Sequence, residues 1–311
     1  MKMARTLALI LFFSVSFSSS SAFGSGPVKF DSGKAWGLLT KQVDFGPRVP
    51  GTPAHINCRD FLRSELEKSC DHVRLQEFSH RWSSSGQGVT MWNIVGEQNW
   101  KDAKVRVALF AHWDSRPTAD QETDESLKKQ PIPGANDGAS GVAVLLELAR
   151  SIKDSHPGVG IMYVLTDGED LGPGLNEMFL GATAFARIMS KPKPTYGILL
   201  DMIGDKDLRV PMEPNSQYYA PDLTRALYRH AATVGLKDTF PAVMGPEIED
   251  DHLAINQAGV PTIDLIDFTY APWHTLSDTT DKCSAESLGK VGKLLETWLT
   301  KVPIWVPPYR G

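Results

Sequence analysis

Cysteine is scarce in this 311-residue sequence: Cys58, Cys70 and Cys283 are the three present, too few for a disulfide framework. Cys58 and Cys70 fall in one predicted helix, where twelve residues at a rise of ~1.5 Å set them ~18 Å apart, far beyond the ~4.4–6.8 Å of a disulfide. No bridge between them is expected. Long apolar runs are also missing, since nothing reaches the ~18 residues of a membrane-spanning helix. Positive charge is in deficit: 32 Lys plus Arg stand against 37 Asp plus Glu, a net charge of −5, which excludes nucleic acid as the natural partner. With 41% hydrophobic and 22% charged residues the chain has the composition of a globular protein with a sizeable core.

Residues 1–22 read as a secretory signal peptide: Lys2 and Arg5 precede the apolar run Leu7 to Phe13, and a serine-rich stretch ends at Ser20, Ser21 and Ala22. The expectation is export, to a periplasm or to the medium, without stable membrane insertion. Removal of Lys2 and Arg5 takes the net charge from −5 to −7. No Cys lies near the end of the leader to carry a lipid anchor.

The remainder, 23–311, reads as one domain. Thr52-Pro53 is an N-cap followed by proline at the first helical position, predicting a helix over 53–70. Strands are predicted at Val89 to Val95, Val105 to Phe110, Ile161 to Leu165, Tyr196 to Leu200 and Thr262 to Ile266. Helices are predicted at Gly138 to Ile152, Met178 to Met189, Asp222 to Ala232, His252 to Gln257 and Ala285 to Leu299. Ser115 to Pro133 is polar and proline-containing, a long surface loop and a candidate lid. The proline-bearing tail from Val302 is expected to wrap the surface. Strands alternating with helices predict an α/β fold, a mostly parallel central sheet flanked by helices in a single domain.

In such sheets the site lies beyond the carboxyl ends of the strands. His112 and Asp114 follow one predicted strand, Glu169 and Asp170 another, and Asp201 closes a third. His274 lies a short loop beyond the last, and Asp137 opens the helix at Gly138. Taken singly, Asp137 reads as a helix cap and each His as a surface residue. Taken together, caps and turns have no reason to gather at one end of successive strands, and the set suits a zinc site of nitrogen and oxygen ligands.

These residues resemble a known superfamily. His112-Trp113-Asp114-Ser115, Gly134-Ala135-Asn136-Asp137-Gly138-Ala139-Ser140-Gly141, Asp167-Gly168-Glu169-Asp170, Leu200-Asp201-Met202-Ile203-Gly204 and Trp273-His274-Thr275 look, in that order, like the zinc aminopeptidases and glutaminyl cyclases. The match runs from about Phe45 to the last helix. The resemblance implies a zinc-exopeptidase-like fold and one of two ligand schemes. An aminopeptidase would hold one zinc at His112 and Asp201 and another at Asp170 and His274, with Asp137 bridging. An animal-type cyclase would hold a single zinc at Asp137, Asp170 and His274.

Other positions lean toward the cyclases. Glu249-Asp250-Asp251-His252 is similar to a cyclase motif, and Trp273 directly before His274 is a cyclase habit for lining the pocket. His112 to Pro117 looks like the bacterial enzymes. Two positions depart from the animal pattern: Leu171 to Asn176 offers no pocket tryptophan, leaving Phe179 as the nearest aromatic, and a position that is His there is Asp264 here. The resemblance thus implies cyclisation of N-terminal glutamine on peptide or protein substrates, with one zinc expected and two accommodated. Glu169 would shuttle the proton, Asp250 and Asp201 would orient the amine and intermediate, and Trp273, Glu249 and Phe179 would contact substrate. The alternative is an aminopeptidase in which Glu169 deprotonates a metal-bound water. A binding protein without activity would show damaged ligands, and none is damaged.

Overall fold

The computed structural model describes residues 29–154, 159–189, 191–300 and 305. The leader lies outside them. So does the tail apart from Trp305, whose ring meets that of Tyr196 edge-on at 5.1 Å.

Six strands form one sheet: β1 (His72–Arg81), β2 (Gly88–Gln98), β3 (Val105–His112), β4 (Val159–Thr166), β5 (Tyr196–Asp201) and β6 (Thr262–Ile266). Their order is β1-β2-β4-β3-β5-β6. Strands β4, β3, β5 and β6 are parallel, in a register that sets His112 beside Thr166 and Asp201 beside Ile266. The sheet is mixed, because β1 and β2 form a hairpin closed by Trp82 N–H donating to the Gln87 carbonyl, and β2 runs antiparallel to β4. A turn this short can join only antiparallel neighbours.

The helices are α1 (Ser32–Asp44), α2 (Pro53–Glu67), α3 (Ser140–Ile152), α4 (Leu180–Ile188), α5 (Pro214–Tyr219), α6 (Pro221–Thr233), α7 (Asp251–Gln257) and α8 (Ala285–Thr300). Alternation along the strands sorts the core into two layers. Val107, Leu109, Ile161, Tyr163, Ile198 and Leu200 face the layer holding α1, α2, α3, α6 and α8. Ala108, Phe110, Met162, Val164 and Leu199 face α4 and α7. Both faces of the parallel strands are covered, which is why β4 and β5 are buried along their whole length.

Thr52 caps α2 by accepting from His55 N–H, as its sequence predicts, but the helix stops at Glu67, before Cys70. All three cysteines are free. Three elements escape the sequence pattern: α1, α5 and β1. In α1 only Ala35, Leu39 and Gln42 are buried, with Asp31 as the cap. Strand β1 is a sheet edge, largely exposed, and carries charge on both faces.

The Ser115 to Pro133 loop is tied across its base, Ala119 N–H to the Gln130 carbonyl and Ile132 N–H to that of Arg116. The fully buried guanidinium of Arg48 donates to the carbonyls of Trp113, Pro133 and Gly134 at the loop's two ends.

Candidate active site

Three strand ends, the loop after β6 and the entry to α3 converge. His112 ends β3, Asp201 ends β5, and β4 runs into the turn Asp167-Gly168-Glu169-Asp170. Asp114 shapes that turn by accepting from the N–H groups of Glu169 and Asp170, both at 3.2 Å. Behind it the buried pair His55–Asp167, 2.9 Å apart, ties the turn to α2, and His55 stacks on Trp113. Asp137 is no helix cap: α3 begins at Ser140 after Ala139, with no side chain capping it. Instead Asp278 accepts from the N–H groups of Asn136 and Asp137 at 2.8 and 3.2 Å, fixing the loop that presents Asp137. Gly138 is required there, with φ +103° and its missing Cβ only 2.2 Å from the Asp114 carbonyl.

His112 Nε2 lies 3.1 Å from Asp137 Oδ1 and 3.2 Å from Asp201 Oδ1. His274 Nε2 lies 3.7 Å from Asp137 Oδ2 and 3.5 Å from Asp170 Oδ1. Asp137 therefore turns one oxygen toward each histidine. Two donor sets result, His112–Asp137–Asp201 and Asp137–Asp170–His274, each with ligand atoms within 4.8 Å of one another. Asp137 Oδ2 and Asp170 Oδ2 are buried with no hydrogen-bond partner among the described residues. Burying such atoms is costly unless a cation compensates them. Imidazole and carboxylate donors in sets of three fit zinc.

Two residues to which the sequence reading assigns no role support the ligands. Arg116 pairs with Asp170 and, at 2.8 Å, with Asp120. Asp120 in turn faces His274 Nδ1 at 3.2 Å. The one available signal was their place in the loop directly after His112 to Ser115.

Burial drives the electrostatics. It pushes the Glu169 carboxyl well above the ordinary range; Asp170, Asp250 and Asp251 add to the rise and His112 opposes it. Burial likewise raises Asp170, to about 7, and Asp250 well above its usual value. Burial by itself would lower His112, but Glu169 and the surrounding aspartates outweigh it and raise the imidazole well above 6.5. A bound cation would reverse the rise of the liganding carboxylates.

These groups open onto a pocket of about 360 Å³. Asp137, Glu169, Asp170, Asp201, Asp250 and His274 line it, and so do Trp273, Glu249 and Phe179, whereas His112 lies behind Asp137 and Asp201 and does not. Trp273 stacks on His274, centroids 3.9 Å apart and planes 27° apart. Asp250 caps α7 with one oxygen, accepting from Asp251 N–H at 2.5 Å, while its other oxygen, buried, has no hydrogen-bond partner among the described residues. Asp264 joins Asp250 and His252 in a third buried group. Backbone strain collects here too: of the four non-glycine residues at positive φ among the described residues, Phe179, Met202 and His274 belong to this pocket. A larger cleft, about 530 Å³ beside Asp71 and Trp100 near the opposite end of β3, gathers no comparable donor set among the described residues.

Residues 93–299 match the description Peptidase family M28. A glutaminyl cyclase of Bacteroides thetaiotaomicron, solved with N-acetylhistamine, is 35% identical with a TM-score of 0.84, over 88% of this chain and 99% of that one. A leucine aminopeptidase precursor from the same organism is 36% identical, TM-score 0.84, over 88% and 98%. A mouse glutaminyl-peptide cyclotransferase-like protein is 25% identical over 310 residues, 88% of this chain and 76% of its own. The Escherichia coli alkaline phosphatase isozyme conversion protein is 28% identical over 201 residues, and there the match spans 60% of this chain and 55% of that protein.

Proposed function

From a chain that belongs to peptidase family M28, we propose an exported, metal-dependent glutaminyl-peptide cyclotransferase that converts N-terminal glutamine to pyroglutamate and releases ammonia. The observation that carries the reading is the pocket lining. Asp137, Asp170 and His274 face the cavity together with Glu169, Asp250 and Trp273, and His112 is set behind them. That arrangement supports one substrate-facing metal.

Zinc held by Asp137, Asp170 and His274 would supply a Lewis acid for the γ-carbonyl oxygen. In the reaction the α-amine nitrogen bonds to the γ-amide carbon, the bond from that carbon to its amide nitrogen breaks, and ammonia leaves. Glu169 takes the proton from the attacking amine and returns it to the departing nitrogen, a role suited to a carboxyl whose affinity for protons is raised by burial. Asp250 and Asp201 hold the amine and the developing intermediate in place. Trp273, flat against His274 and 4.8 Å from Phe268, walls off water, and Phe179 and Glu249 meet the substrate at the rim.

The His112–Asp137–Asp201 set favours a second reading, a two-metal aminopeptidase. Purified protein incubated with a Gln-initiated and a Leu-initiated peptide separates the two. Loss of one ammonia in mass from the first supports the cyclase, and free leucine from the second overturns it. Among the described residues no helix is long and apolar enough to cross a membrane.

A further inference from the structure

His55 touches both strand-end segments that build the site, yet no step of the reaction described above uses it. It stands in the first turn of α2, fully buried. Its Nδ1 accepts from Gly51 N–H at 3.4 Å, which assigns the ring proton to Nε2. That nitrogen donates to Asp167, 2.9 Å from each carboxylate oxygen. Trp92 N–H also donates to Asp167 Oδ2, at 2.7 Å, whereas Oδ1 has His55 alone among the described residues. The imidazole lies flat on Trp113, with 12° between the planes and 4.4 Å between the centroids.

Both contacts lead to Glu169. Asp167 opens the turn that carries it. Trp113 directly precedes Asp114, whose carboxylate accepts from the Glu169 and Asp170 N–H groups. From there the two neighbours differ. Arg116 grips the Asp170 side chain directly, whereas among the described residues the Glu169 carboxylate has one ion-pair contact, His112 Nδ1 at 3.7 Å, beyond hydrogen-bond reach. Slack in the turn therefore falls on Glu169 rather than on Asp170.

We propose that His55 is a positioning residue for the proton shuttle: through Asp167 and Trp113 it fixes where the Glu169 carboxylate stands, while Asp170 keeps the metal without its help. The proposal rests on the reading of Glu169 as the group that moves the proton in cyclisation. Packing alone does not account for the pair, since a buried His and Asp gain little net stability over apolar side chains of similar volume. Catalysis does account for it. A carboxylate that must meet first an amine and then a departing nitrogen tolerates little displacement, and an error of ~1 Å can cost ~10²-fold in rate.

The experiment pairs His55→Gln with His55→Asn. A glutamine sets its amide nitrogen near the position of Nε2 and can donate to Asp167; an asparagine, one methylene shorter, reaches only the position of Nδ1. Zinc affinity is read with a chelating dye, and kcat and KM for a Gln-initiated peptide are read per bound zinc. Both variants are expected to retain zinc. His55→Gln keeps most of kcat, and His55→Asn loses ~10–10²-fold in kcat with KM little changed. Equal kcat in the two folded variants overturns the proposal. A folded His55→Gln that has lost its kcat also overturns it, whatever becomes of the other variant. So does a loss in His55→Asn that vanishes when rates are taken per bound zinc, because the pair would then serve Asp170. No cyclisation by the unmodified enzyme overturns the cyclase reading itself, and the proposal with it.

Discussion

Asp120 stands 3.2 Å from Nδ1 of His274, on the opposite side of the ring from the nitrogen that faces Asp137 and Asp170. The same carboxylate meets Arg116, which also grips Asp170. One loop therefore orients two of the three substrate-facing ligands. Partners of this sort fix the ring and raise its basicity. Asp120→Asn is expected to weaken zinc binding by ~10–100-fold with little change in far-UV dichroism, checked by competition against a chelating dye. Unaltered affinity would remove Asp120 from the site.

Glu169 and Asp170 are neighbours in sequence with separate tasks. Glu169→Gln is expected to retain metal and fold while losing ~10²–10⁴ in turnover, the span usual for a general acid or base. Asp170→Asn is expected to lose metal. Metal content and single-turnover rates of the two variants decide the assignment, and the reverse pattern would exchange their roles.

Removal of metal should do more than stop the reaction. Asp137 and Asp170 keep unpartnered, buried oxygens, so stripping the cation by exhaustive chelation should also lower the melting temperature, and zinc should restore both properties. One ion per chain is expected to resist dialysis, with the His112 side filled weakly. Two equally tight ions, ~3.5–4 Å apart in a crystal, would favour the peptidase.

Far from the pocket, His230 on α6 bonds to Thr297 of α8 at 2.8 Å, and burial lowers its pKa from 6.5. The unfolded chain accordingly takes up this proton first. The contribution is complete above 6.5, and it is lost as pH falls through the lower folded value. Urea midpoints measured between about pH 7 and pH 5 should fall less steeply for His230→Gln than for the unmodified protein.

Legibility in the sequence followed burial. Strand β6 is predicted residue for residue because Pro261 and Asp267 bracket a continuous apolar-rich run that is wholly buried. The edge strand β1 escapes because exposure lets charges interrupt its alternation, and α1 because Gly33 and Gly37 dilute a stripe of only three buried positions. In the site, His112, Asp170 and Asp201 were readable at or just beyond strand ends, which converge by rule, and Asp137 and His274 on the loops that follow β3 and β6. Arg116 and Asp120 were not, since an irregular loop has no periodicity to say which way its side chains turn.

Strand β4 enters the sheet between β2 and β3, both of which precede it in the chain. During synthesis the first three strands cannot zip together in order, because the slot between β2 and β3 stays open until Val159–Thr166 has emerged. Until then two apolar strand edges lie unpaired, the kind of surface that recruits other chains. A nascent chain halted before β4 thus exposes both of these edges and is an aggregation-prone species on the route to this fold.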